Sequence, residues 1–273
     1  MKSTPDNIKL LFEPDVTGTN FFLDIQNPNA IDADHFEASE RPVENAGETI
    51  PYITVAGQRI QYADGTPDGL TIRLYIKSPG RPKYTWRDGA REHGFIGSEK
   101  DFKNIEATIY VRFRDYNNTH TSISWIIRGG LHTGAHDPRS SCVGMQVPYG
   151  GLQASAFKEL DHPDYDFIKI GRNFDYSVKE NEWVAIKIIS FLEKDASRTK
   201  NFLYLDTDPY DDTGKPNNNF RLYSEWVDQD GISTGKYTVA ALWAGWVTTF
   251  RVDGWKNVDV AHLSAYEIIP PAG

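Results

Sequence analysis

The sequence contains one cysteine and two methionines among 273 residues, and helical periodicity is nearly absent from it. A lone Cys142 excludes an internal disulfide and any cysteine-based zinc site. No run reaches the roughly 18 consecutive apolar residues that a membrane helix needs, so no membrane partner is expected. The opening MKSTPDNIK lacks the apolar core of a secretion signal. An extracellular location, with the signal removed, is the expectation, and a cytoplasmic one is the alternative. Basic charge is also scarce, with 29 Lys and Arg against 38 Asp and Glu and a formal net charge of −9. Phosphate backbones attract the opposite sign, which argues against nucleic acid as a partner. A small basic pocket on an acidic exterior stays compatible with that charge.

What is present is strand. Hydrophobic residues make up 39% of the chain and aromatics 13%, enough for a large core. From Asn104 to Arg114, Ile105, Ala107, Ile109, Val111 and Phe113 alternate with Glu106, Thr108, Tyr110, Arg112 and Arg114. That period of two predicts a half-buried strand. Similar signals lie over Trp183 to Glu193, Asn201 to Asp206, Phe220 to Val227, Lys236 to Trp246, Thr248 to Val252 and Val258 to Ile269. Earlier ones cover Asn20 to Ile25, Ile50 to Val55, Gln58 to Tyr62 and Leu70 to Ile76. Leu152 to Leu160 is the best short helix candidate. Many short strands with Gly, Pro, Asn and Asp between them predict an all-β fold, an antiparallel sandwich of jelly-roll type. We expect one domain over residues 1–273, with 1–19 as a terminal segment and 32–47 as a long polar loop, and a monomer.

Titratable chemistry is densest after Ser124-Trp-Ile-Ile-Arg-Gly-Gly-Leu-His. A strand-like run delivers Arg128, and His132, His136, Cys142, Tyr149, Lys158, Glu159 and His162 follow closely. Ionisable groups on glycine-rich loops after strands are where sites tend to sit. Cation, imidazole and phenol are the groups needed to neutralise a carboxylate, remove a proton and return one.

The order of these elements resembles the concanavalin A-like β-jelly-roll proteins, in particular polysaccharide lyases of the alginate-lyase and glucuronan-lyase type. The residues carrying it are Arg112 and Arg114 on one strand, Arg128-Gly-Gly-x-His132, and Ala156-Phe-Lys158-Glu159. The Trp183 strand, Tyr204-Leu-Asp206, Glu225-Trp-Val-Asp228 and the strand from Val258 to Ile269 complete the likeness. It implies β-elimination on an anionic, uronic acid-containing polysaccharide. Arg114, Arg128, His132, Tyr149 and Lys158 are then the catalytic candidates. Tyr110, Arg112, His136, Trp86 and Glu159 are candidates for holding the polymer. The tyrosine stays open among Tyr149, Tyr165 and Tyr204.

Elimination removes the proton α to a carboxylate, so that charge must be neutralised as the enolate-like intermediate forms. An imidazole or tyrosinate takes the proton, and a phenol protonates the leaving oxygen. The alternative reading is a non-catalytic carbohydrate-binding or lectin-like module. A glycoside hydrolase is a further one, for which Glu159-Leu-Asp161-His-Pro-Asp164 is the nearest carboxylate pairing. No cofactor is required by this chemistry. The turn holding Asp206, Asp208 and Asp211 is the candidate for Ca²⁺, whose ligands are hard oxygens. Trp243, Trp246, Trp255 and Tyr266 crowd the last strands, and at most two of the seven tryptophans are expected to meet ligand.

Overall fold

The computed structural model describes residues 2–23, 36–38, 52–54, 59–63, 71–78, 101–116, 122–130, 141–147, 149, 154–231 and 236–271. Fifteen strands are found there and no helix. They are β1 (Asn20–Phe22), β2 (Phe36–Ala38), β3 (Tyr52–Thr54), β4 (Arg59–Ala63), β5 (Thr71–Lys77), β6 (Ile105–Tyr116), β7 (Ser122–Gly129) and β8 (Cys142–Gln146). There follow β9 (Ser155–Asp161), β10 (Asp164–Lys169), β11 (Trp183–Leu192), β12 (Arg198–Asp206), β13 (Arg221–Gln229), β14 (Val247–Asp253) and β15 (Trp255–Glu267).

The strands form two antiparallel sheets. One has eight strands in the order β13-β12-β11-β6-β15-β4-β3, with β1 also on β15. The other has seven, in the order β10-β9-β8-β7-β14-β5-β2. Their inner faces meet in one cluster that includes Ile109, Val111, Phe113, Ile186 and Leu263 from the first sheet. Leu74, Ile76, Trp125, Val143, Met145 and Phe250 come from the second. This is the antiparallel sandwich that the alternating pattern predicts.

In β6 Ile105, Ala107, Ile109, Val111 and Phe113 enter the core, while Glu106, Tyr110, Arg112 and Arg114 face outward, as the alternation requires. Elsewhere pairing overrides the local signal. The Leu152 to Leu160 helix is not formed, because Ser155 to Asp161 is a strand held between β8 and β10. It sends Ala156 and Leu160 inward, while Phe157 packs apart from that core. Lys236 to Trp246 is not a strand either. Its amides go to carboxylates instead of a neighbouring ladder: Ala240 to Asp230 (2.8 Å), Ala241 to Asp228 (2.8 Å), and Lys236 and Tyr237 to Asp166. Within the polar stretch 32–47, Phe36–Ala38 pairs with β5 and is therefore an edge strand.

The amino-terminal arm lies across the outer face of the eight-stranded sheet. Glu106 accepts the backbone amides of Leu11 and Phe12 (2.9 Å each) and the Lys187 ammonium. Lys187 in turn donates to the Lys9 carbonyl at 2.7 Å.

Candidate functional site

Among the described residues, those picked out from sequence do not gather in one place. Arg128 ends β7 with a positive φ of 53° and is buried. Its guanidinium donates to the carbonyls of Trp243 (2.6 Å) and Lys103 (2.9 Å), and the Trp243 indole donates back to the Arg128 carbonyl at 2.6 Å. Burial pushes its pKa down to about 10. These contacts make it a brace between loops. Lys158 projects into the interior, where its ammonium lies 2.5 Å from Asp228 and 2.6 Å from the Val239 carbonyl. Tyr149 packs at an angle on Tyr116 and edge to face with Trp255, at centroid distances of 4.8 and 5.0 Å. Burial and Tyr116 push its phenol up to about 12.

Tyr110, Arg112 and Arg114 share the outer face of the other, eight-stranded sheet. Both arginines pair with the buried Asp259, at 2.5 and 3.0 Å. His132, His136 and Trp86 lie outside the described residues.

Asp206, Asp208 and Asp211 do not converge on a cation position. Asp206 accepts the amides of Asp208 (3.2 Å) and Asn219 (2.6 Å), and Asp211 accepts those of Thr213 (2.8 Å) and Lys215 (2.9 Å). They fold their own loop. Among the described residues no three His, Cys, Asp or Glu side chains form a metal-holding group.

Glu159 belongs to a different constellation, on the outer face of the seven-stranded sheet. Alternation along six strands places Arg73, Tyr75, Lys77, Ile126, Cys142, Glu159, Tyr165, Thr249, Arg251 and Asp253 on that side. Arg73 and Arg251 are direct register partners on β5 and β14. The Arg251 guanidinium donates to the Tyr165 hydroxyl at 3.0 Å and binds Asp253 at 2.9 Å. Tyr165 stands opposite Glu159 in the β9–β10 hairpin. Glu159 also meets the His162 Nδ1 at 2.5 Å and the Cys142 thiol at 3.5 Å. A narrow crevice of about 20 Å³ opens between Arg73, Tyr75, Cys142, Glu159, Tyr165 and Thr249. That is room for little more than one water or one carboxylate oxygen. Beside it Phe167, 51% exposed, stacks on Tyr165 with centroids 5.8 Å apart.

The electrostatics follow from this crowding. Burial, then the facing charge of Arg251, pushes Arg73 down to about 10. Burial opposes the charge of Arg251 too, yet Asp253 and Tyr165 hold it above its ordinary value. Burial, with Cys142 and Glu159 nearby, raises the Tyr165 phenol, so it stays protonated. Burial and Glu159 raise the Cys142 thiol in the same way. The face therefore offers paired guanidinium groups, a protonated phenol, and an imidazole oriented by a carboxylate. Of the three tyrosines left open by the sequence, Tyr165 is the one standing here. Arg73-x-Tyr75-x-Lys77 and Thr249-x-Arg251-x-Asp253 carry the same period-two signal as β6. Reading which polar triplets share a face would have found them.

No family model matches the chain, and no curated protein matches it. Solved structures give distant likenesses. The carbohydrate recognition domain of Emp47p aligns at 10% identity over 93% of this chain and 99% of its own, with a TM-score of 0.43. A family 16 glycosyl hydrolase protein from Mycobacterium smegmatis aligns at 10% over 86% and 93%, with a TM-score of 0.39. The Lotus tetragonolobus seed lectin aligns at 8% over 78% and 89%, with a TM-score of 0.37. All three superpose weakly, at identities too low to transfer any residue's role.

Proposed function

We propose that the outer face of the seven-stranded sheet is the site of a polysaccharide lyase acting on a uronic acid-containing polymer. The observation that carries this reading is the facing pair Arg73 and Arg251. Like charges directly opposite across antiparallel strands repel, and a bound carboxylate relieves that repulsion. In β-elimination the two guanidinium groups take up the charge that develops on the sugar carboxylate as its α-proton leaves. His162, held through Nδ1 by Glu159, receives that proton, and the Tyr165 hydroxyl returns one to the departing glycosidic oxygen. This sequence moves the function from the loop after β7 to the strands β5, β9, β10 and β14. Phe167 offers a flat apolar surface for a neighbouring sugar ring.

A non-catalytic module is the second reading, and the small volume of the crevice favours it. Incubation with alginate, glucuronan and pectate, following the ultraviolet absorbance of the unsaturated product, separates the two. The lyase reading expects turnover that falls about 10²-fold or more in Arg251→Ala. It expects a loss of about 10²–10⁴-fold in Tyr165→Phe, with binding kept. Binding of one of these polymers with no gain in absorbance refutes the lyase and leaves the module.

A further inference from the structure

We infer that the protein has a second saccharide site, on the outer face of the opposite, eight-stranded sheet, which takes an uncharged sugar ring. A cleft of about 560 Å³ lies there, within the range of small-molecule pockets. Its walls include Asp6 from the amino-terminal arm, Trp183 at the start of β11, Tyr210 and Lys215 from the loop after β12, and His262 from β15. The inference does not rest on the lyase reading, which concerns the other sheet.

Both walls are held in place without a ligand. Lys9 donates its amide to Asn218 Oδ1 at 2.7 Å, and Asn218 Nδ2 donates to the Asn7 carbonyl at 2.9 Å, so the arm is tied to the loop. Asp211 pins the loop from inside by accepting the Lys215 amide at 2.9 Å. Preformed walls lower the ordering cost of binding.

The lining has the two components that a sugar ring uses. Trp183 and Tyr210 meet edge to face, with centroids 5.7 Å apart at 84°, and Arg112 lies over the indole at 5.1 Å. Such a pair presents an aromatic plane for the C–H face of a pyranose. Around it stand acceptors and donors for hydroxyl groups. Asp6 binds His262 Nδ1, which leaves the opposite ring nitrogen for a ligand. Lys215 adds an ammonium of opposite sign to Asp6. The lining charges thus balance, in contrast to the facing arginines on the other sheet, and the balance selects an uncharged ligand. Beneath the cleft Tyr110 is fully buried between Tyr210 (5.5 Å) and His262 (4.7 Å). Its hydroxyl has no hydrogen-bond partner among the described residues. Tyr110 does not line the cleft; it supports Tyr210 and His262 from below.

The test is calorimetric titration with neutral gluco-, manno- and galacto-oligosaccharides. Wild type, Trp183→Ala, Trp183→Phe, His262→Gln and Arg251→Ala are compared, each checked for folding by circular dichroism. Saturable binding of one series is expected, weakened at least about tenfold in Trp183→Ala, the usual scale for a central aromatic anchor. Trp183→Phe keeps a ring and should bind better than the alanine variant, and it serves as the probe if that variant does not fold. His262→Gln should weaken binding, and Arg251→Ala should leave it unchanged. The inference is overturned if none of the sugars binds. It is equally overturned if binding survives both Trp183 substitutions, or is lost in Arg251→Ala while Trp183→Ala retains it. Failure of the lyase assay leaves this titration unaffected, so the two readings fail separately.

Discussion

Replacing Lys158 by methionine should destabilise the protein severely and through its interior. The ammonium is fully buried, 2.5 Å from Asp228 and donating to the Val239 carbonyl at 2.6 Å. Methionine fills nearly the same volume but removes the positive charge, so almost no cavity term enters. What remains is a buried carboxylate without its paired cation, with the Ala241 amide still bound at 2.8 Å and only the more distant Arg128 charge to offset it. Removing one partner of a buried pair costs about 3–5 kcal/mol. The Asp228 carboxyl is already pushed upward by burial, and without the lysine it takes up a proton, which sets the ceiling on that loss. At about 2 °C per kcal/mol for a chain of this size, the melting temperature should fall by about 6–10 °C. Asp228→Asn added to Lys158→Met removes the orphaned charge and should recover part of the loss, leaving a coupling of about 1–3 kcal/mol in the double-mutant cycle. Urea unfolding of the four proteins measures it. If Lys158→Met unfolds within 1 kcal/mol of wild type while losing turnover on a polymer, the lysine is a working group, and its structural assignment is refuted.

Two further outcomes follow from other parts of the structure. Burial raises the Glu267 carboxyl from 4.5 to about 7, against the pull of the Asn104 and Lys103 amides. A carboxylic acid with a raised folded-state pKa adds stability that is complete below pH 4.5 and is lost as pH climbs through 7. The swing is up to about 3 kcal/mol, and Glu267→Gln should flatten it; parallel pH profiles of the two proteins would count against this account. Gly245→Ala should cost about 1–3 kcal/mol, the range for overpacking, because its Cβ would lie 2.5 Å from the backbone of Arg128 and Gly129. Gly171→Ala, with nothing within 4 Å, is the matched control, and equal chemical denaturation midpoints for the two would refute the clash.

The sandwich was legible in the sequence because its strongest signal, the alternation in β6, is a property of one segment. The proposed site was not, because it is made between segments. Arg73 and Arg251 are far apart along the chain and become neighbours through the register of β5 on β14. Nothing local announces that pairing. The described titratable groups after Ser124 went to separate places for a related reason. A lysine or arginine in a strand serves equally well as a buried brace or as a ligand-binding group, and only the face it occupies separates the two. Lys158 faces the core and its neighbour Glu159 faces out, so adjacent residues in one motif ended in unrelated environments. Lys236 to Trp246 looks like a strand by composition, but Asp166 of β10, Asp228 of β13 and Asp230 in the turn after it capture its amides.

The position of the last two strands bears on how the chain reaches this state. β14 is inserted between β7 and β5, and β15 between β6 and β4. Each completes the middle of a sheet, not its rim. Until residues 247–267 arrive, β7, β5, β6 and β4 each have an open side with unpaired amides and carbonyls. Contacts of such long sequence separation make folding slow, and open strand sides invite pairing with other chains. Acquisition of the native state is thus governed by its final segment, and the time spent waiting for it is when the protein is most prone to aggregate.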